Sequence, residues 1–309
     1  MEFKQLKTLQ ALVTNDFSVS RTAKQLFLVQ SAVSQQMIRL ERELETEIFV
    51  RKGKRLTGLT RFGQQVVDEA TRALRAIDNI RLLAEDARND GQGILRIGCT
   101  HTQARYMLPP VIRGFNRAYP GIELQIHQGN PKQLVTWAEN DEVDFSICTE
   151  ELDQSGQLQS VACYRWNRCL IAPPGHPLMS ANEVTLADLC AYPIITYVLG
   201  FTGRKHFNER FAQAGLKPDI VLSAADTDII KAYVQDGLGI GVIASMAYDE
   251  ATDSQWGERD LSHLFGWETT RIAFQKNKRI RRYQQTFIEL FLERVRDDDS
   301  GRIRAVSPG

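Results

Sequence analysis

Ser18 to Leu44 reads SVSRTAKQLFLVQSAVSQQMIRLEREL. Val19, Ala23 and Leu26 fall on one apolar face of a short helix, with Ser18 or Ser20 as its N-cap. Phe27-Leu28-Val29 makes a turn. Val33, Met37, Leu40 and Leu44 then recur at helical spacing and give a second helix a wholly apolar underside. Its other side carries Ser31, Ser34, Gln35, Ile38 and Arg42, with Gln30 at its start and Arg39 one turn beyond Gln35. Amide and hydroxyl groups on such a face can meet base edges in a DNA major groove. The backbone N–H groups at the helix start can meet a phosphate. An ordinary helical hairpin within a core would show the same apolar pattern, and the stretch alone leaves that alternative open.

Working outward, Leu6, Leu9 and Val13 lie at helical spacing within Phe3 to Val13 and supply a third helix. Ile48-Phe49-Val50 is β-prone, Arg51-Lys52-Gly53-Lys54-Arg55 is a basic glycine turn, and Leu56-Thr57 starts a return strand. Together they predict a hairpin wing. Arg51, Lys52, Lys54 and Arg55 are placed to meet phosphates, which position a protein on DNA without reading sequence, or else form a solvated loop. From Leu59, with Thr60 as cap, a long helix is expected. Leu59, Val66, Ala73, Ile80 and Ala87 recur every seven residues, as do Gly63, Ala70, Ile77 and Ala84. Two interleaved heptad series predict a helix that pairs with its own copy. Asn89 to Gly93 ends it as a flexible joint.

Beyond Gly93 strand-like and helix-like runs alternate. The strands are expected over 94–99, 123–127, 144–148, 169–172, 194–197, 219–222, 240–244 and 270–274. Helices are expected over 110–118, 133–139, 205–214, 227–235 and 280–295. Alternation of this kind predicts an α/β body with largely parallel sheets, long enough for two lobes. The polar tail from Asp297 is expected to be disordered.

Composition narrows the function. Net charge is zero over 309 residues, yet residues 1–60 hold ten basic and six acidic side chains, a basic head on a mildly acidic body. The five cysteines (Cys99, Cys148, Cys163, Cys169, Cys190) show no paired or zinc spacing and read as reduced thiols of a cytoplasmic protein. No apolar run approaches membrane-spanning length. The five histidines are scattered without ligand spacing, so no metal, no cofactor and no catalytic set is expected. Gly237 to Gly241 is GxGxG but precedes a strand instead of following one, which argues against a dinucleotide site.

The hairpin, the wing closing on LTGLTRFG, the long connector and the α/β body together resemble the LysR-type transcriptional regulators over the whole chain. Ser31 stands where that family often has proline, and Thr46 where it often has glycine. THTQARYMLPPVIRGF (100–115), CYRWNR (163–168), GFTGR (200–204) and GLGIGVIASMA (237–247) resemble its CysB/Cbl branch, the sulfur-assimilation regulators. The resemblance implies an α/β fold with an N-terminal all-α winged helix-turn-helix at 1–59 and a dimerising linker helix at 60–91. It further implies a two-lobed, periplasmic-binding-protein-like effector domain at 92–309, with lobe I at about 92–163 and 267–296 and lobe II at about 164–266. Implied partners are double-stranded operator DNA, a small anionic sulfur metabolite, RNA polymerase and further copies of the chain as a dimer or tetramer. Thr100, Thr102, Gln103, Thr149 and Thr202 are carried over as effector ligands.

The residues support such a site on their own chemistry. Thr100–Gln103 follows a strand and precedes a helical run, so backbone N–H groups there can face an anion. Thr149 ends one strand, and Thr202 sits between Gly200 and Gly203 beyond the end of another, where ligands of open α/β sheets bind. Neutral donors of this sort suit an oxyanion such as sulfate, although each could also cap a following helix. His101 and Arg105 either add charge to the pocket or face solvent. Trp166 lines the cleft or packs at the crossover, packing being the preferred reading. Asp226-Thr227-Asp228 is expected to cap a helix, and Cys99 and Cys148 to be buried small hydrophobes.

Overall fold

The computed structural model describes residues 1–53, 55–86, 91–298 and 300–306, and the chain divides into two compact units. In the N-terminal unit, α1 (Phe3–Thr14), α2 (Val19–Gln25) and α3 (Gln30–Glu43) pack on one another, followed by β1 (Phe49–Lys52), β2 (Arg55–Leu59) and the long α4 (Arg61–Asp86). Ser18 caps α2, its Oγ accepting from the Arg21 N–H at 3.3 Å. The core joins Leu6, Leu9 and Leu12 of α1 with Ala23, Val33, Met37, Leu40, Ile48 and Phe49. Leu12 fills the position expected of Val13, which is only partly buried.

The wing is a true antiparallel pair, with Phe49 opposite Leu59 and Lys52 opposite Arg55. The connector helix departs from expectation. Gly63, Val67, Ala70 and Leu74 face the core of the head itself. A Cβ at Gly63 would overlap the Ile48 carbonyl, so this glycine serves a close backbone approach within one chain. Thr60 starts the helix as predicted, accepting from the Gly63 N–H at 2.8 Å. Ile80, 64% exposed, and Leu83 lie outside this core. Ala87 and the joint residues Asn89 and Asp90 lie outside the described residues.

The second unit contains two mixed sheets. In chain order it runs β3 (Gly93–Cys99), α5 (Leu108–Ala118), β4 (Ile122–Gln128), α6 (Pro131–Glu139), β5 (Phe145–Cys148), β6 (Leu158–Trp166) and β7 (Arg168–Ala172). It continues with α7 (Pro177–Ser180), α8 (Leu186–Cys190), β8 (Ile194–Tyr197), α9 (Arg204–Gln213), β9 (Ile220–Ala224), α10 (Thr227–Gln235) and β10 (Ile240–Ala244). Finally come β11 (Gly257–Asp260), β12 (Glu268–Gln275), α11 (Arg282–Arg296) and β13 (Ile303–Ala305). One sheet has the order β13-β6-β12-β5-β3-β4, the other β11-β7-β10-β8-β9.

Among the described residues, only β4-β3-β5 and β10-β8-β9 are parallel; β6, β7, β11, β12 and β13 pair antiparallel. The expected largely parallel sheets are therefore corrected to mixed ones. The chain crosses between sheets at Asn167 and returns just before Glu268, which pairs with Trp166. That moves the lobe boundary from 163/164 to 166/168. The tail is corrected too, since Ile303–Ala305 adds a strand against Tyr164–Trp166. Its partner β6 is a nine-residue strand with no clean alternation of burial, which explains why neither was legible in sequence.

Candidate functional site

Residues on the exposed face of α3 stand where the periodicity puts them. Gln30, Ser31, Ser34, Gln35 and Arg39 are exposed, while Val33, Met37 and Leu40 are buried. The N-cap is Val29, whose side chain cannot accept, so no side chain closes the first-turn N–H groups of α3. Just before it Phe27 stands 95% exposed in the left-handed region.

Glu41 joins α3 to the wing. Its Oε1 accepts from the N–H groups of Ile48 and Phe49 at 2.9 and 3.2 Å, and its Oε2 pairs with Arg51. Arg51 is therefore neutralised locally, whereas Lys52 and Arg55 are exposed on the two wing strands. Lys54 lies outside the described residues.

A second polar constellation lies in the second unit, at the carboxyl ends of β3, β5 and β8. Thr100, Thr102 and Gln103 follow β3 in a tight turn that opens into a single π-helical turn, Gln103–Met107, and all three are buried. Gln103 Oε1 accepts from the Tyr164 hydroxyl at 2.6 Å, which fixes its amide. Thr149 Oγ1 accepts from Trp166 Nε1 at 3.2 Å and lies 3.3 Å from Thr270 Oγ1. Thr202 is buried at φ +46°, a conformation that costs a β-branched residue about 1–2 kcal/mol. Such a strain persists only where the surroundings impose it.

Trp166 is fully buried and packs at the crossover, where its Nε1 donates to Thr149 and the Arg168 guanidinium lies over its ring at 5.5 Å. His101 Nε2 and Arg105 Nε each lie 3.6 Å from Asp228 Oδ2 across the two sheets; Arg105 remains 64% exposed. Asp226 caps α10 as expected, accepting from the Ile229 N–H at 2.9 Å. Cys99 and Cys148 are buried, and burial pushes the Cys99 thiol up to about 12. Both lack the thiolate character that redox chemistry needs.

Three charged residues escaped the sequence reading. Arg168 is 3% exposed, and its Nη2 donates to Gly203 O at 2.7 Å and to Glu268 Oε1 at 2.8 Å. Glu268 also meets His206 Nδ1 at 2.9 Å. Glu150 Oε1 accepts from the Gly203 N–H. Desolvation and the Glu268 carboxylate push the Glu150 carboxyl up to about 7, with the Gly203 N–H and Arg168 pulling the other way. The signal was available in part, because Arg168 immediately precedes the apolar run Cys169 to Ala172, and a charge at the start of a buried strand is rarely buried without a partner, whereas Glu150 and Glu268 lie in polar sequence.

Among the described residues, four buried side-chain atoms have no hydrogen-bond partner: His101 Nδ1, Thr102 Oγ1, Glu150 Oε2 and Arg168 Nη1. All four belong to residues at the carboxyl ends of the β3 and β5 strands or at the crossover. Unpaired buried polar atoms each cost on the order of 1–3 kcal/mol, so each of the four retains hydrogen-bonding capacity that a polar ligand could use. No group of metal-ligating side chains is found among the described residues, and no described helix is long and apolar enough to cross a membrane.

Residues 3–64 match the family described as bacterial regulatory helix-turn-helix protein, lysR family, and residues 88–296 match the LysR substrate binding domain. The chain is 42% identical over 291 residues to the HTH-type transcriptional regulator SsuR of Burkholderia cenocepacia, covering 94% of each. It is 39% identical over 290 residues to the CysB regulator of the same organism, covering 94% of this chain and 93% of that one. Among solved structures, the cofactor-binding domain of the Cbl transcriptional regulator superposes with a TM-score of 0.63 at 40% identity. That match spans 65% of this chain and 89% of the other.

Proposed function

Because this chain belongs to the LysR family of DNA-binding transcriptional regulators, we propose that it controls sulfur-assimilation or sulfonate-utilisation genes in response to a small sulfur-related anion. Sulfate, thiosulfate and adenosine phosphosulfate are the candidate effectors. About 40% identity to SsuR and CysB regulators over nearly the whole chain supports the sulfur assignment. The anion would sit between the lobes of the 92–309 effector domain, on Thr100, Thr102, Gln103, Thr149 and Thr202. The observation that carries this reading is the unpartnered buried donor pair, the Thr102 hydroxyl and Arg168 Nη1. Neither can be satisfied by an apolar ligand.

In this scheme the winged helix-turn-helix at 1–59 reads operator DNA with Gln30, Ser31, Ser34, Gln35 and Arg39, while Lys52, Lys54 and Arg55 hold phosphates. The 60–91 helix pairs protomers into a dimer or tetramer in the cytoplasm, with Ile80 and Leu83 facing the partner copy, and the assembly engages RNA polymerase without catalysing a reaction. Effector binding acts only if its affinity differs between lobe arrangements, which then present the paired heads differently to DNA. An acetylserine is the second reading, and its O-acetyl isomer, which bears an ammonium group, is favoured by the unpartnered Glu150 Oε2.

Calorimetric titration of sulfate, thiosulfate, adenosine phosphosulfate and acetylserine into the full chain tests the assignment. Saturable binding of one sulfur oxyanion, lost in Thr100→Ala, is the expected result. Binding of acetylserine alone would transfer the assignment to the second reading.

A further inference from the structure

We propose that Arg168 and Glu150 complete the anion site: Arg168 holds the bound oxyanion through Nη1, and Glu150 donates to it from Oε2 as an uncharged carboxylic acid. Where the free site holds Glu150 ionised, a proton enters from solvent with the anion; where it is already the acid, none is needed. The inference rests on the reading of this site as an oxyanion pocket.

Both groups are anchored by the same residue and leave one atom over. The Gly203 N–H donates to Glu150 Oε1, and the Gly203 carbonyl accepts from Arg168 Nη2 at 2.7 Å. Gly203 has φ +67°, and a Cβ there would collide with the Arg168 guanidinium and the Glu268 carboxylate. Glycine therefore lets one peptide unit be gripped from both sides. What remains is Arg168 Nη1 and Glu150 Oε2, both buried and without a partner.

A guanidinium nitrogen can only donate, so its missing partner is an acceptor. The carboxyl group is different. As a carboxylate it would add negative charge beside an incoming anion, and as an acid it offers a donor instead. The charges around it favour the acid. Glu268 on β12 faces it as a second carboxylate, compensated by Arg168 on β7 and in contact with His206 on α9; Cys148 on β5 is adjacent and Glu151 follows in sequence. The Glu150 carboxyl already stands at about 7 without an anion, and a bound anion moves it further toward the acid.

The test is titration of sulfate and, separately, thiosulfate into the full chain at pH 6.5 and pH 8.5, since neither anion titrates in that interval. If only the acid form accepts the anion, the wild-type dissociation constant rises by about 25-fold between the two pH values. Glu150→Gln, which keeps the acceptor for Gly203, is expected to bind with the same affinity at both. Arg168→Lys is expected to bind about tenfold more weakly at both, and thermal melting of each unliganded variant checks that it folds. Equal wild-type affinity at both pH values, or the same pH dependence in Glu150→Gln, overturns the inference while leaving the oxyanion reading in place. Tighter binding at pH 8.5 overturns it in favour of an ionised Glu150. Absence of binding by either anion at pH 6.5 removes the oxyanion reading, and the inference with it.

Discussion

The Tyr106 hydroxyl donates to Asp228 Oδ1 at 2.6 Å and, with the His101 and Arg105 contacts to the same carboxylate, ties the turn after β3 to the start of α10 across the two lobes. Lys231, one turn along α10, stands 3.4 Å from the same hydroxyl and is itself paired with Asp253. Burial and the Asp228 charge push the Tyr106 hydroxyl well above the usual tyrosine range, so it stays a donor. Tyr106→Phe should remove an inter-lobe bond to a charged group, weakening effector affinity by roughly 1.5–3 kcal/mol, about 10- to 150-fold. Calorimetry on the variant checks this; unchanged affinity would show that the bond does not bias closure.

Glu150 makes stability depend on pH. Its folded pKa of about 7 lies above the ordinary value of 4.5, so the folded state holds its proton longer than the unfolded state. Stability is retained below pH 4.5 and declines as pH rises through about 7, by up to roughly 3 kcal/mol. Unliganded Glu150→Gln should therefore melt at a higher temperature than wild type at pH 8, and at a similar temperature at pH 4.5. Differential scanning calorimetry at the two pH values distinguishes this from a pH-independent packing effect.

Adjacent residues in the GFTGR turn should respond in opposite directions. Thr202 carries left-handed backbone that glycine adopts freely, so Thr202→Gly should raise stability by about 0.5–1 kcal/mol while weakening effector binding. Gly203→Ala places a methyl group against Arg168 and Glu268 and should destabilise by about 2 kcal/mol or more. Urea midpoints for the two variants give the signs directly.

On DNA, Gln35→Ala should cost about 1–3 kcal/mol on the specific site and little on random duplex. Lys52→Ala should weaken binding to both and reduce the salt slope by about 1. Arg51→Ala should also lower head stability, because Arg51 is already paired with Glu41. Fluorescence anisotropy at several salt concentrations separates the three patterns. Equal loss on both duplexes for Gln35→Ala would exclude it from base reading.

Thiol reactivity should be confined. Cys99, Cys148, Cys163 and Cys169 are buried with raised pKa values, and Cys190 is partly exposed. A thiol reagent at pH 8 should modify Cys190 first and the other four only on unfolding. Rapid modification of Cys99 or Cys148 in the folded chain would reopen a redox role.

By itself, the sequence determined what local periodicity and turn chemistry can specify. Val33, Met37 and Leu40 against Gln30, Ser34 and Gln35 set the two faces of α3, and Thr100–Gln103 and Thr202 announced strand-end turns. Those features depend on neighbours within a few residues. Tertiary structure alone decided which lobe β6 and β13 join, since edge pairing depends on distant strands. It turned Gly63 toward Ile48 and spent Arg51 on Glu41. It also brought Glu150, Arg168 and Glu268 onto Gly203, residues up to 118 positions apart in sequence. Buried charges are stable only where partners converge in space, and convergence over such separations leaves no periodic trace along the chain.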